Sequence, residues 1–243
     1  MKKEEMILVV DTETAMINPT AKVSGCNSLV YDIGLAVANR KGEIAEKRNL
    51  VVNDIMFGEY KRMETCYYAE KLPQYYVEMG TGVRQIVSLE TARKIVLELM
   101  EKYNIKKIAA YNMMFDYYAL KKTNEFLGGK FEFFPEDTKY IDILKMARGV
   151  FKNNKRYSNY CYENNLLTEN GNPSISAENV YRYITNNPDF VESHTGLKDV
   201  EIETEIMAYL NNRKCKLNRK IAFNYWERFF QKRYWQTPRK MIL

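Results

Sequence analysis

Residues 6–13 read MILVVDTE, an unbroken apolar run that ends on two acids. A strand with one face in water alternates apolar and polar residues. A run without alternation suits a strand at the centre of a sheet buried on both faces. The chain continues in the same style. LVYDIGLAVAN (29–39) is a second strand, RKGE is a turn in which Gly42 supplies the permissive backbone, and IAEKRNLVV (44–52) returns as a third, so the second and third strands form a hairpin. Residues 53–87, rich in Tyr and Met, are a long loop or a small helical insertion. An apolar stripe at helical spacing (Ala92, Ile95, Val96, Leu99, Met100, Tyr103) predicts a helix from Ser88, its cap, to Tyr103. IKKIAAYN is a fourth strand. FDYYALKKTNEFLGG is a helix closed by glycines, and TKYIDILKMARGVF is a further helical piece. LLTENGNPSIS is a hairpin or loop around Asn170-Gly171, Ser176 opens a short helix, and helices follow over LKDVEIETEIMAYL and the C-terminal segment. This order implies an α/β domain with a mixed sheet.

At 243 residues and 46% hydrophobic content, the chain can form one large domain, or a domain with an appendage, around a proper core. The apolar stretch after MKKEE is too short for a signal peptide, and no run approaches membrane-spanning length, so no membrane association is expected. Cys26, Cys66, Cys161 and Cys215 are scattered without C-x-x-C spacing; neither disulfides nor zinc is expected, and a reducing cytoplasm is the simplest setting. The net charge of +6 is uneven. Residues 211–243 carry +9 and residues 1–210 carry −3, an asymmetry that suits a polyanionic partner or simply a solvated charged helix.

The acids are the candidate chemistry. Asp11 and Glu13 stand two apart on one strand and so point to the same side. Two such carboxylates repel unless a cation lies between them, and hard oxygen ligands suit Mg²⁺ or Mn²⁺; the alternative is a solvated strand end. Asp116 follows the fourth strand, where α/β folds collect functional groups, though an acid entering a helix also serves the helix dipole. Asp199 opens an acidic helix with Glu201, Glu203 and Glu205, any of which can be a plain surface acid. His194, the only histidine, precedes Asp199 by five residues; on one helix the two would lie about 140° apart. With Gly196 between them, His194 is expected on a loop leading into the helix. Asp32 is assigned no role, Asn112 either bonds near the site or serves a turn, and Asp142 is expected to cap or orient a helix.

The segments VVDTET, AAYNMMFD and HTGLKD, in that order, resemble the three motifs of the DEDDh, or DnaQ-like, 3′–5′ exonucleases. YIDILKMAR also looks like that family's helix carrying an Asp. The insertion with CYYAEKLPQYYVE and the segment YENNLLTENGNP look similar to bacteriophage-encoded members, which would act in the bacterial host cytoplasm. The resemblance spans about residues 6–210. It implies a ribonuclease H-like fold: a five-stranded mixed sheet with helices on both sides and its first three strands antiparallel. It also implies removal of nucleotides from a 3′ end with two Mg²⁺ or Mn²⁺ ions. By the same resemblance Asp11, Glu13 and Asp199 hold the first ion, Asp11 bridges to the second, Asp116 supports it directly or through water, and His194 is the general base. The reaction expected is phosphodiester hydrolysis at 3′ ends of single-stranded nucleic acid, DNA foremost. The other readings are a proofreading module needing a polymerase or another replication partner, and a non-catalytic nucleic-acid-binding protein that kept the fold. A degraded member would be expected to have lost at least one of the five residues, and all five are present.

Two domains are expected: residues 1–210 as the exonuclease domain and 211–243 as a basic, aromatic helical extension. NRKIAFNYWERFFQKRYWQTPRK interleaves aromatics, including Trp226 and Trp235, with Lys and Arg. Aromatics stack on bases while cations meet phosphates, yet Ile221, Tyr225 and Phe229 also fall at helical spacing. The expectation is a compromise in which the aromatic face packs on the domain and the basic face extends the nucleic-acid channel.

Overall fold

The opening run becomes β1 (Met6–Met16), which has β2 (Ser28–Asn39) on one side and β5 (Lys107–Ala110) on the other. A computed structural model of the chain describes residues 4–64, 66 and 69–212. Within it β1 and β2 pair antiparallel, β2 and β3 (Ile44–Val52) pair antiparallel, and β1 and β5 pair parallel. All 12 residues of β2 are buried, because the sheet is covered on both faces.

Three of the sheet's features were expected and one was not. The antiparallel β1–β2–β3 unit, the hairpin at Gly42 (φ +88°) and the fourth predicted strand, here β5 and parallel to β1, all form. The expected five strands are six, in the order β4-β3-β2-β1-β5-β6. Gln85–Val87 adds β4 parallel to β3, and Lys139–Asp142 adds β6 parallel to β5. Both are too short to show periodicity, and β6 runs straight into a helix, so its four residues read as the start of that helix.

The insertion between β3 and β4 folds as α1 (Asn53–Met56), α2 (Tyr60–Met63) and α3 (Leu72–Gly80). With α4 (Leu89–Lys102) and α5 (Met113–Phe126) these helices supply one core, which meets the sheet through Leu8 and Val10 of β1. The second core lies on the other face, under Ile7 and Val9, and is built with α6 (Ile143–Phe151), α7 (Lys155–Glu163), α8 (Ala177–Thr185) and α9 (Gly196–Asn212). Capping follows the chemistry expected of the sequence: Ser88 accepts from the Thr91 N–H, Asp142 from the Lys145 N–H and Ser176 from the Asn179 N–H. The Asn170-Gly171 turn closes a single bridge between Leu167 and Pro173. No described helix is long and apolar enough to cross a membrane, and among the described residues there is no disulfide. The expected basic aromatic extension lies, from residue 213 on, outside the described residues.

Candidate active site

Alternation along β1 sorts the site. The odd row, Ile7 and Val9, faces the second core, and Asp11 and Glu13 extend that row toward α9. The even row, Leu8 and Val10, faces α5, and Thr12 extends it. The Thr12 hydroxyl donates to Asp116 Oδ1 at 2.7 Å and its N–H to the same oxygen at 3.2 Å, so Asp116 is tied to the strand end beside the other acids. A β-bulge follows at once: Glu13 pairs with Asp32 but Thr14 with Val30, leaving Tyr31 as the extra residue on β2. Such bulges re-aim side chains at strand ends.

The third segment reaches the cleft through α9. Asp199 lies in its first turn and is buried, while His194 sits on the preceding loop in the left-handed region, φ +50°, with its side chain 31% exposed. Ligand atoms of Glu13, His194 and Asp199 all lie within 4.8 Å of one another. Asp11, Glu13, Asp116, His194 and Asp199 therefore line one cleft of about 210 Å³, together with Tyr111, Asn112, Glu192 and Glu203. Every residue expected at the site is brought there. Asn112 serves a turn as well: it takes a left-handed backbone, φ +76°, at the head of α5.

Three acids carry roles that the sequence did not reveal. Glu203, one turn beyond Asp199, is 3% exposed and faces the cleft, whereas Glu201 and Glu205 bond to Lys47 and Tyr181 on the outer side. Its i+4 spacing from Asp199 was the available signal. Glu192 lines the cleft 4.0 Å from His194 Nδ1. Asp32 is fully buried and braces the site from behind. Its Oδ2 accepts from the Gly196 N–H (3.0 Å) and the Tyr75 hydroxyl (2.6 Å), and pairs with Arg84 at 2.8 Å. Arg84, 2% exposed, lies 3.8 Å over the Tyr75 ring and also bonds Glu78 and Asn49. Lys71 of the insertion donates to the Ser193 carbonyl before His194, and Asp32 of β2, held by Tyr75 and Arg84 of the insertion, accepts from the Gly196 N–H after it.

The crowd of acids is electrostatically costly. Burial, then neighbouring carboxylates, pushes Glu13 up to about 8 and Asp199 up to about 9. Burial lifts Asp116 to about 7 against the Thr12 bonds, and burial with Glu178 lifts Glu192 to about 7. Asp11 is raised by burial and then by Glu203, Asp199, Glu13 and Asp116. His194 is shifted the other way, lowered by burial and by Lys71. Asp11 Oδ2, Asp199 Oδ1 and Glu203 Oε2 are buried without a hydrogen-bond partner among the described residues. Buried oxygens of this kind are normally satisfied, and hard cations are what such a donor set fits.

No protein-family model matches the sequence, and no curated protein matches it. Solved structures do. A 3′-exonuclease recognising the histone mRNA stem-loop aligns over 88% of this chain and 65% of its own, with TM-score 0.59 and 13% identity. The nuclease domain of 3′hExo, a DEDDh family member bound to rAMP, aligns over 88% and 96%, with TM-score 0.54 and 13% identity. E. coli ExoI, in a zinc-bound complex with ssDNA, aligns over 91% and 42%, with TM-score 0.51 and 14% identity. The chain thus spans just under two thirds of the first and less than half of the third. At these identities the likeness is one of fold: the chain has the ribonuclease H-like fold of the DEDDh exonucleases.

Outside the cleft, Arg148 on α6, Lys152 just after it, and Lys155 and Arg156 on α7 are exposed and make no ion pair with any described acid. Arg148 lies near enough to the cleft residue Tyr111 to act on its hydroxyl.

Proposed function

We propose that the chain is a divalent-metal-dependent 3′–5′ exonuclease that hydrolyses phosphodiester bonds at the 3′ ends of single-stranded nucleic acid. One observation carries this reading: buried, unsatisfied carboxylate oxygens from β1 and α9 converge on the same cleft as the chain's single imidazole. The exonuclease structures of the same fold, one with rAMP and one with ssDNA, support the substrate class.

Asp11, Glu13, Asp116 and Asp199 would hold two ions, Mg²⁺ or Mn²⁺. Bound there, the ions neutralise the phosphodiester and make water a better nucleophile. The protein's own groups do the rest. Without cations the acids retain protons, as their raised affinities imply; deprotonated, they set an acidic cleft that accepts a phosphate only once its charge is offset. His194, kept neutral at pH 7 by burial and by Lys71, accepts the proton of the attacking water. Its left-handed backbone and the flanking bonds from Lys71 and to Asp32 hold the ring at the cleft mouth. The exposed cations on and between α6 and α7, unpaired among the described residues, would attract phosphates of a strand that extends beyond the cleft.

The test is digestion of 5′- and 3′-labelled single-stranded DNA and RNA with Mg²⁺, Mn²⁺ or EDTA. The 5′-labelled strand should shorten progressively from its other end, and EDTA or Asp11→Asn should abolish cutting. His194→Ala should lose about 10²–10⁴-fold in rate. Hydrolysis that survives EDTA, or that proceeds from the 5′ end, overturns the reading.

A further inference from the structure

The acids of the cleft divide into two groups. Glu13, His194 and Asp199 cluster at one end, with ligand atoms within 4.8 Å of one another. Asp11 and Asp116 line the same cleft outside that cluster, and so does a carboxylate which the three sequence motifs leave out. Glu203 extends from α9 one turn past Asp199, is 3% exposed and lines the cleft. The charges of Asp116 and Asp199 act on Glu203, and those of Glu203, Asp199, Glu13 and Asp116 act on Asp11. The Tyr111 N–H at the end of β5 favours the charged form of Glu203, yet Oε2 has no hydrogen-bond partner among the described residues.

An unmet oxygen on a buried carboxyl costs about 1–3 kcal/mol, so it marks a position where a ligand could be accommodated. Here the unmet oxygen lies in a cleft that also holds unmet oxygens of Asp11 and Asp199. A hard cation there would satisfy them together. We propose that Glu203 is a fifth metal-ligating carboxylate, which completes with Asp11 and Asp116 a second cation position that fills before nucleic acid arrives. The inference rests on the metal requirement of the proposed exonuclease and adds a residue to it. A second ion held by side chains alone does not depend on substrate phosphate for its retention, so cation loading precedes substrate binding.

The experiment is Mn²⁺ titration of the metal-free full chain without nucleic acid, followed by electron paramagnetic resonance and calorimetry. The unaltered protein should bind two ions. Glu203→Gln, which keeps shape and removes charge, should bind one, or bind the second at least tenfold more weakly. Glu205→Gln, on the outer side of the same helix, should still bind two. Glu203→Asp keeps the charge and shortens the reach; it should also lose the second ion, and it serves if the Gln variant does not fold. Two ions bound with unchanged affinity by Glu203→Gln overturn the inference and leave the exonuclease reading standing. A single ion bound by the unaltered protein does the same. No ion bound by the unaltered protein overturns both.

Discussion

Gly34 of β2 and Gly196 at the head of α9 touch backbone to backbone: a Cβ on Gly34 would stand 1.9 Å from the Gly196 carbonyl oxygen. Gly34 is also the register partner of Asp11. This contact sets how deep α9 sits, and hence where Asp199 and Glu203 meet β1. Gly34→Ala must push the helix off, since the obstructing atoms are backbone. The expected result is a melting temperature lower by several degrees and a cutting rate reduced at least tenfold. Gly80→Ala, where an added Cβ meets nothing within 4 Å, should leave both nearly unchanged. Equal behaviour of the two variants would show that the close approach does not matter.

The acids make stability depend on pH in an unusual direction. Burial first, and mutual repulsion second, raises Glu13 to about 8, Asp199 to about 9 and Asp116 to about 7 in the folded chain, against an ordinary carboxylate value near 4 in the unfolded one. Between those limits the folded state binds more protons than the unfolded state. Stability is therefore greatest at the acid end of that window and is lost as pH rises through it. In EDTA the melting temperature should fall by at least about 5 °C between about pH 6 and about pH 9, given roughly 2–4 °C per kcal/mol for a chain of this size. Mn²⁺ should remove most of the fall by taking the protons' place. Asp11→Asn should raise the metal-free melting temperature at the upper pH while abolishing cutting. A flat profile in EDTA would mean that the acids repel far less than their crowding indicates.

The Asp32–Arg84 pair is buried at both ends and ties the insertion to the histidine loop. Removing one partner strands a charge, so Arg84→Met should cost about 3–5 kcal/mol. The double variant Asp32→Asn, Arg84→Met removes both charges and should regain part of that loss. Denaturant unfolding of the single and double variants measures the coupling. Additive losses would show that the two residues act independently.

How much of this could be read from the residues alone varies by element. β1 was legible because an apolar run ending in acids has few other uses, and the helix caps were legible because Ser88, Ser176 and Asp142 act locally. β6 was hidden, because four residues show no period before Ile143 continues as a helix. Asp32 was hidden for a different reason. Its partners come from positions 75, 84 and 196, and nothing local to a strand acid announces them. Glu203 stood in plain view between Glu201 and Glu205; only the buried phase of α9, shared with Asp199, Ile206 and Leu210, separates it from them.

The cations of α6 and α7 give the last prediction. Lys152 and Lys155 are exposed, unpaired among the described residues, and neither lines the cleft. If phosphates of the substrate strand cross them, each contact releases condensed counterions and contributes roughly 0.7 to the salt dependence of single-strand binding. Lys152→Glu with Lys155→Glu should then weaken binding of a long single strand at least tenfold and reduce the slope of log affinity against log salt by about 1.4. If the lysines act only on the strand beyond the cleft, hydrolysis of a dinucleotide should keep its rate. This split between long and short substrates separates a binding track from a damaged site. Equal losses on both would place the lysines in the fold's stability, and no loss on either would send the strand out of the cleft by another route.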